Sequence, residues 1–143
     1  MENKTIAVNL FNETWDLLEK HPRTKEENAL MIHKAHASLY HWLKAGTALE
    51  AQRGEWLVSH VYAVLEMGES AVFHANRCLD LTQANAINDF DLTFAYEALA
   101  RAHALKDIKS AREYYERAKD SLDQIEDPNN KAYAASQLEN INI

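Results

Sequence analysis

Histidines are the residues of this sequence that could most readily bind a metal ion. The chain has seven His, and His33, His36 and His41 lie close together in the sequence. At about 100° per residue on a helix, His36 falls beside apolar neighbours, His33 lies at the margin of that face, and His41 lies roughly opposite. These three side chains therefore cannot bind one ion. The sequence also has no HExxH motif and no Cys/His spacing typical of zinc.

A different pair of histidines keeps one alternative open. His36 and His60 are each predicted to face inward between the second and third helices, with Glu55 close by in the sequence. Together the three residues define an alternative function, that of a small-molecule or metal-binding helical protein. The commoner role of a His on an apolar face is a buried, hydrogen-bonded core residue. We therefore expect no metal and no cofactor, and His36 and His60 are the pair to locate in the structure.

Side chains for covalent or acid–base catalysis are not indicated. Cys78 is the single cysteine, lies in an apolar pattern and has only Arg77 as a cationic neighbour, so we expect it in the core. No glycine-rich phosphate loop and no strand-turn-helix serine is present. Glu55 and Glu97 are expected on helix surfaces, where Glu97 and Arg101 form an i,i+4 pair. We predict that the protein is not an enzyme.

Composition narrows the class of protein and of partner. Only three Gly and two Pro favour a nearly all-helical chain. The formal charge is −7 without a basic stripe, which disfavours nucleic acid and anionic membranes as partners. No apolar run approaches the ~20 residues needed to cross a bilayer, and the single cysteine suits a reducing compartment. We expect one cytoplasmic domain over residues 1–143.

Helix-start and helix-stop signals predict about seven helices. Thr24 to Glu27 and Thr47 to Glu50 are capping boxes, and Asp127 followed by a proline is an N-cap with Pro at the first helical position. Glycines at 46 and 68 are expected to close the second and third helices. The predicted helices run over about 6–20, 25–44, 47–67, 69–82, two within 91–123, and 128–140.

Apolar spacing predicts which face of some helices is buried. On the second helix the expected stripe is Ile32, Leu39 and Leu43, with His36 at its edge. On the seventh helix we expect three residues to cover the preceding pair, namely Tyr133, Ala135 and Leu138. These assignments fix the rotation of each helix about its axis.

Small residues at Ala111 and Ala118, with Tyr115 between them, form the clearest architectural pattern. The spacing lets a neighbouring helix approach closely at the two alanines while the aromatic ring fills the gap. Ala71 and Cys78 stand 40 residues before Ala111 and Ala118, so the chain repeats internally. The third and fourth helices are thus predicted to match the fifth and sixth.

This pattern resembles the second helix of a tetratricopeptide repeat (TPR), whose period is about 34 residues. The resemblance implies an all-α fold, in which antiparallel helix pairs stack as a right-handed α-α superhelix of about seven helices. Its units are a divergent pair (1–46), a repeat-like unit (47–82), the best-matching repeat (91–125) and a capping helix (128–142). The segments AHASLYHW and RGEWLVSHVYAVL also resemble those of uncharacterised bacterial proteins of this repeat-like class.

The resemblance further implies a binding groove on the first helix of each unit. The corresponding positions are Arg53, Trp56, His60, Thr93, Tyr96, His103 and Tyr133. Aromatic anchors beside Arg and His donors suit a short peptide or a small anionic molecule, with Arg53 supplying the fixed positive charge. The alternative is that Trp56 and Tyr96 are core residues. The implied function is a non-enzymatic scaffold that binds a protein or peptide partner through its concave face, and self-association into a homo-oligomer stays open.

Overall fold

A computed structural model describes residues 2–143, and these residues form an all-α fold with no β-strand. The elements are α1 (Asn3–Glu19), α2 (Lys25–Ala45), α3 (Ala48–Val64), α4 (Gly68–Ala84), α5 (Phe90–His103), α6 (Ile108–Ser121), a 3-10 turn (Leu122–Gln124) and α7 (Pro128–Glu139). None of these helices combines the length and the apolar character that a membrane span requires. The all-α prediction and the number of helices are confirmed.

Consecutive helices pack as antiparallel pairs, α1 with α2, α3 with α4, and α5 with α6, because each pair is joined by a short turn. The second helix of each pair also packs against the first helix of the next pair. A further set of contacts joins α1 to α3, α3 to α5 and α5 to α7. The odd-numbered helices therefore lie side by side, as in a helical repeat. The handedness of the superhelix stays a prediction.

Small residues occupy the tightest helix contacts, as the sequence pattern predicts. Ala71 and Ala111 are fully buried, and so are Cys78 and Ala118, which stand 40 residues apart in the same way. Burial raises the pKa of the Cys78 thiol, which disfavours the reactive thiolate. Cys78 is thus a core residue, and the offset of 40 holds for α4 and α6.

Most of the predicted helix caps are present. The Glu27 N–H donates to Thr24 Oγ1 (3.1 Å), and the Thr24 N–H donates to Glu27 Oε1 (3.0 Å), which completes the capping box of α2. Asp127 Oδ1 accepts from the Asn129 N–H (2.8 Å) at the start of α7. Gly46 is the C-cap of α2, with its N–H donating to the Trp42 carbonyl. These signals are local, so the sequence predicts them well.

The second predicted capping box, at the start of α3, is wrong. The Thr47 side chain caps no backbone N–H there. Its hydroxyl instead donates to Glu50 Oε2 (2.7 Å), so the two side chains bond to each other. The carboxylate of Glu50 therefore lies at the helix surface, where it accepts from the Thr47 hydroxyl.

The predicted closure of the third helix at Gly68 is also wrong. The helix ends at Val64, and Glu66 takes the left-handed backbone conformation with φ 61°. The Met67 N–H then donates to the Tyr62 carbonyl (2.8 Å), the bond of a Schellman motif. Gly68 begins α4 instead. An added Cβ there would lie 2.9 Å from Lys106 Cγ, so this glycine allows the α5–α6 turn to approach.

Two predicted helix faces are rotated in the structure. On α2 the buried residues are Met31, Ala35, Ser38, Leu39 and Trp42, whereas Leu43 is 61 % exposed. Because α2 is packed against both α1 and α3, Trp42 is turned inward and Leu43 outward. On α7, Ala134 and Leu138 are buried, Ala135 is half-buried and Tyr133 is exposed. Leu138 is the one member of the predicted covering set that lies in the core.

Candidate functional site

A cleft of about 270 Å³ lies where the four odd-numbered helices meet. We call it the aromatic cleft, because six of its lining side chains are aromatic. They are Phe11 and Trp15 from α1, Trp56 from α3, Phe90 and Phe94 from α5, and Tyr133 from α7, joined by the polar Gln52, Arg53 and Asp91. Its lining combines residues of α1, α3, α5 and α7. The cleft thus depends on the complete stack of helices.

Helical spacing explains why these residues share one surface. Phe11 and Trp15 are four positions apart on α1, and Phe90 and Phe94 are four apart on α5, so each pair projects from one side of its helix. The side-by-side packing of the odd-numbered helices then joins these aromatic pairs to Trp56 on α3. No continuous sequence motif marks the cleft, because its residues come from four separate segments of the chain.

Ring contacts fix the walls of the aromatic cleft. The Trp15 and Trp56 rings stack with centroids 6.0 Å apart, and Trp56 meets Phe94 edge-on at 5.6 Å. Tyr133 stacks on Phe94 at 5.9 Å. Aromatic pairs in such geometries contribute about 0.5–1.5 kcal/mol beyond their burial. The walls are therefore held in place without a ligand.

A buried ion pair supports the floor of the cleft. The Trp56 indole N–H donates to Glu97 Oε1 (2.9 Å), while Arg101 Nε donates to Glu97 Oε2 (2.7 Å). Arg101 also donates to the Gln137 carbonyl (3.1 Å), which ties α5 to α7. Glu97 is only 1 % exposed. The predicted surface pair of Glu97 and Arg101 is wrong, since both Glu97 oxygens have partners that let the carboxylate stay inside.

Arg53 does not supply the free positive charge expected of it. Its guanidinium donates to both oxygens of Asp91, at 2.9 Å and 3.0 Å. The hydrogen bond with Asp91 raises the pKa of Arg53 further. The guanidinium of Arg53 is thus already paired, so the basis for an anionic ligand at this position is lost.

A second cleft, of about 210 Å³, adjoins the first and shares Phe11 and Arg53 with it. We call it the polar cleft. Its other lining residues are Val8, Asn12, Trp42 and Glu50. The hydrogen bond from Thr47 is the main cause that lowers the pKa of Glu50. Glu50 is therefore ionised at neutral pH, and among the described residues no Lys, Arg or His forms a salt bridge with it.

The structure brings Arg53, Trp56 and Tyr133 together in the aromatic cleft, but it buries His60. The His60 ring stacks on Trp56 (4.8 Å between centroids) and also contacts Trp15 (5.8 Å), so the three rings form one cluster. Burial lowers the pKa of His60 to about 3, and its Nδ1 has no hydrogen-bond partner. His60 is therefore a neutral core residue behind the cleft wall. Its predicted place in the groove is wrong.

Of the predicted groove positions on α5, Thr93 is wrong because it is buried, whereas Tyr96 and His103 are half-buried and stay predictions. Thr93 is fully buried and bonds to Ser121 Oγ (2.6 Å). Tyr96 packs against a separate apolar cluster with Ala100 and Leu138. His103 stacks on Tyr114 at 5.6 Å. None of the three lines either cleft.

A shift of two residues accounts for this error. An offset of 40 maps Arg53 onto Thr93, yet the residue that contacts Arg53 is Asp91, 38 positions along the chain. Two residues on an α-helix correspond to about 200° of rotation. The offset that fits α4 and α6 therefore turns α5 by about half a turn, away from the face that carries Asp91 and Phe94. The i,i+4 pairs Phe11 to Trp15 and Phe90 to Phe94 were the sequence signal that could have identified the cleft.

The three residues of the metal-binding alternative lie in two different surroundings. His36 Nε2 is 2.8 Å from the Tyr62 hydroxyl, and Glu55 accepts from His74 Nδ1 at 2.7 Å. Glu55 is buried, so its predicted surface position is wrong. His60 packs against Trp15 and Trp56 instead. Over residues 2–143 no three His, Cys, Asp or Glu side chains are grouped so that they could hold a metal ion.

Comparison with known proteins gives no relative for this chain. No protein-family model, no curated protein and no solved structure matches it. The resemblance to TPR proteins therefore stays a prediction, and function has to be inferred from the geometry of the two clefts.

Proposed function

We propose that this chain is a non-enzymatic, TPR-like scaffold that binds a protein or peptide partner through a concave face formed by α1, α3, α5 and α7. The aromatic cleft is the observation that supports this proposal most. Its aromatic side chains come from segments as distant as Phe11 and Tyr133. Interfaces are enriched in such aromatic anchors, which dominate binding when a partner side chain fills the pocket between them.

The aromatic lining of the cleft favours an apolar side chain of a partner. Tyr133 is 45 % exposed although its ring stacks on Phe94. One part of the ring thus packs while the rest stays open at the cleft, where a partner can cover it.

The alternative of a small-molecule or metal-binding protein has less support. It requires His36, His60 and Glu55 to act together, yet His60 is buried against Trp15 and Trp56 while Glu55 bonds to His74. Elemental analysis of protein purified without a His-tag tests this alternative directly. A stoichiometric transition metal would favour it over the scaffold.

Peptide selection tests the scaffold proposal. Random twelve-residue peptides displayed on phage are selected on the immobilised chain, and the recovered peptides are titrated against Tyr133→Ala and Tyr40→Ala. Tyr40 is the matched control, because it is 55 % exposed on α2 and lines neither cleft. We expect Tyr133→Ala to weaken binding about fivefold or more, as loss of an anchor costs over about 1 kcal/mol.

Tyr40→Ala should bind the same peptides as the unmodified chain does. Failure to recover any peptide, or equal weakening by the two substitutions, would contradict a binding role for the aromatic cleft.

A further inference from the structure

We propose that the partner segment carries a bulky apolar anchor with a Lys or Arg two or three residues away, the anchor filling the aromatic cleft and the basic group meeting Glu50 in the polar cleft. This rests on the proposed function and gives it a chemical specificity. An acidic segment is the occupant it excludes.

The charges around the two clefts point to a basic partner. Both nearby arginines are already paired, Arg53 with Asp91 and Arg101 with Glu97. Glu50 lines the polar cleft, and its carboxylate accepts a hydrogen bond from the neutral hydroxyl of Thr47. Arg53 also attracts Glu50, but it is the one cation against the carboxylates of Glu50 and Asp91 in the lining of the two clefts. The lining is therefore negative on balance, and the whole chain has a formal charge of −7. Complementary charge in a partner steers its approach and its register.

The separation of the two clefts sets the spacing in the partner. Glu50 and Trp56 lie on the same helix, six residues apart, which corresponds to about 9 Å along its axis and to a rotation of about 240°. The side chains thus project about 120° apart, a lateral gap that the long side chain of a Lys or Arg spans. An extended peptide advances about 3.3 Å per residue. A side chain in the aromatic cleft and a side chain at Glu50 are thus two or three residues apart along the bound segment. The two clefts share Phe11 and Arg53, so one continuous segment can reach both.

An acidic residue at the same spacing meets an unfavourable site. It would face Glu50. It could pair with Arg53 only by displacing Asp91, whose two carboxylate oxygens accept from Nε and Nη2 of Arg53. Bidentate pairs of this kind are the strong ones. The Arg53–Asp91 pair therefore adds no net charge between the clefts. Glu50 then determines which charge on the partner is favoured.

Selection from a biased library tests this proposal. The library consists of nine-residue peptides with Phe fixed at the centre and all other positions random, selected in parallel on the full chain, on Glu50→Gln and on Glu113→Gln. Gln at position 50 keeps an oxygen that accepts from Thr47, so the start of α3 is preserved. Glu113 is exposed on α6 and serves as the matched control.

We expect Lys and Arg to be enriched about fivefold over Asp and Glu at the positions two and three residues from Phe, as one exposed charge pair provides up to about that factor. The enrichment should disappear on Glu50→Gln and persist on Glu113→Gln. Equal recovery of both charge types, preference for acidic residues, or enrichment that persists on Glu50→Gln would overturn the proposal.

These results are separable from failure of the scaffold itself. Peptides that bind through Tyr133 without charge preference would leave the aromatic cleft as a binding site and remove only the role of Glu50. Recovery of no peptide on any of the three proteins would overturn both proposals. A second copy of this chain as the occupant would appear as a concentration-dependent dimer that Tyr133→Ala dissociates, and that result too would overturn the peptide specificity.

Discussion

Replacing Glu97 by Ala should be among the most damaging single substitutions in the chain. Glu97 accepts from the Trp56 indole and from Arg101, and the side-chain exposures of the ion pair are 1 % for Glu97 and 17 % for Arg101. Removing one partner of a buried pair costs about 3–5 kcal/mol, because the other charge is left uncompensated. The Trp56 N–H also loses its acceptor, at about 1–3 kcal/mol, although the two losses do not add fully.

We therefore expect Glu97→Ala to lower the free energy of unfolding by about 4 kcal/mol. Urea denaturation followed by circular dichroism at 222 nm measures this loss. With a denaturant slope of about 2 kcal/mol/M, the midpoint should fall by about 2 M.

A double substitution distinguishes the buried pair from simple loss of packing. In Glu97→Gln with Arg101→Met, the Gln oxygen can still accept from Trp56 and no charge remains inside. Replacing a buried pair by neutral groups is often nearly neutral in stability. The double variant should thus be more stable than Arg101→Met alone, which strands the carboxylate. A midpoint for Glu97→Ala within about 0.3 M of the unmodified chain would refute the buried-pair reasoning.

Two further substitutions, a control substitution and one truncation test the fold. Ala111→Leu should destabilise by about 1–3 kcal/mol through overpacking, whereas Lys109→Leu on the exposed side of α6 should change the urea midpoint little. Because the pKa of His60 is about 3 in the folded chain and about 6.5 unfolded, the unfolded state binds more protons and stability falls as the pH drops from 6.5 towards 3. Between pH 6.5 and pH 5 the free energy of unfolding of His60→Phe should therefore fall by about 2 kcal/mol less than that of the unmodified chain, as measured by urea titration at each pH. If the two proteins lose stability equally, His60 lies at the surface. Truncation after Asp127 should expose the apolar surface that Leu138 covers and increase hydrophobic-dye binding or dimerisation, and a monomer that melts like the full chain would contradict this role of α7.

Local chemistry made much of the fold predictable. The Thr24 capping box, the Asp127 cap and the small residues at Ala71 and Ala111 each depend on residues within one or two helical turns, and the structure has all of them. The number of helices follows from those signals. Where a left-handed residue is not Gly, as at Glu66, the sequence signal is weak and the helix end was misplaced.

The site was harder to predict because it depends on rotations and on distant segments. A two-residue shift on α5 exchanges the face that carries Asp91 and Phe94 for the face that carries Thr93 and Tyr96, so an offset derived from α4 and α6 missed the cleft residues. The burial of Glu97 could not be anticipated either. It depends on Trp56 and on the carbonyl of Gln137, which the chain brings together only after the helices have stacked.

Photo-crosslinking tests the central claim most directly, namely that a partner side chain occupies the aromatic cleft. The central Phe of the tightest selected peptide is replaced by p-benzoylphenylalanine, the complex is irradiated, and the modified residues of the chain are identified by mass spectrometry. We expect crosslinks to residues that line the cleft, above all Trp15, Phe94 and Tyr133, and a loss of crosslinking when unlabelled peptide competes. Crosslinks confined to the outer helices α2, α4 and α6 would contradict the claim.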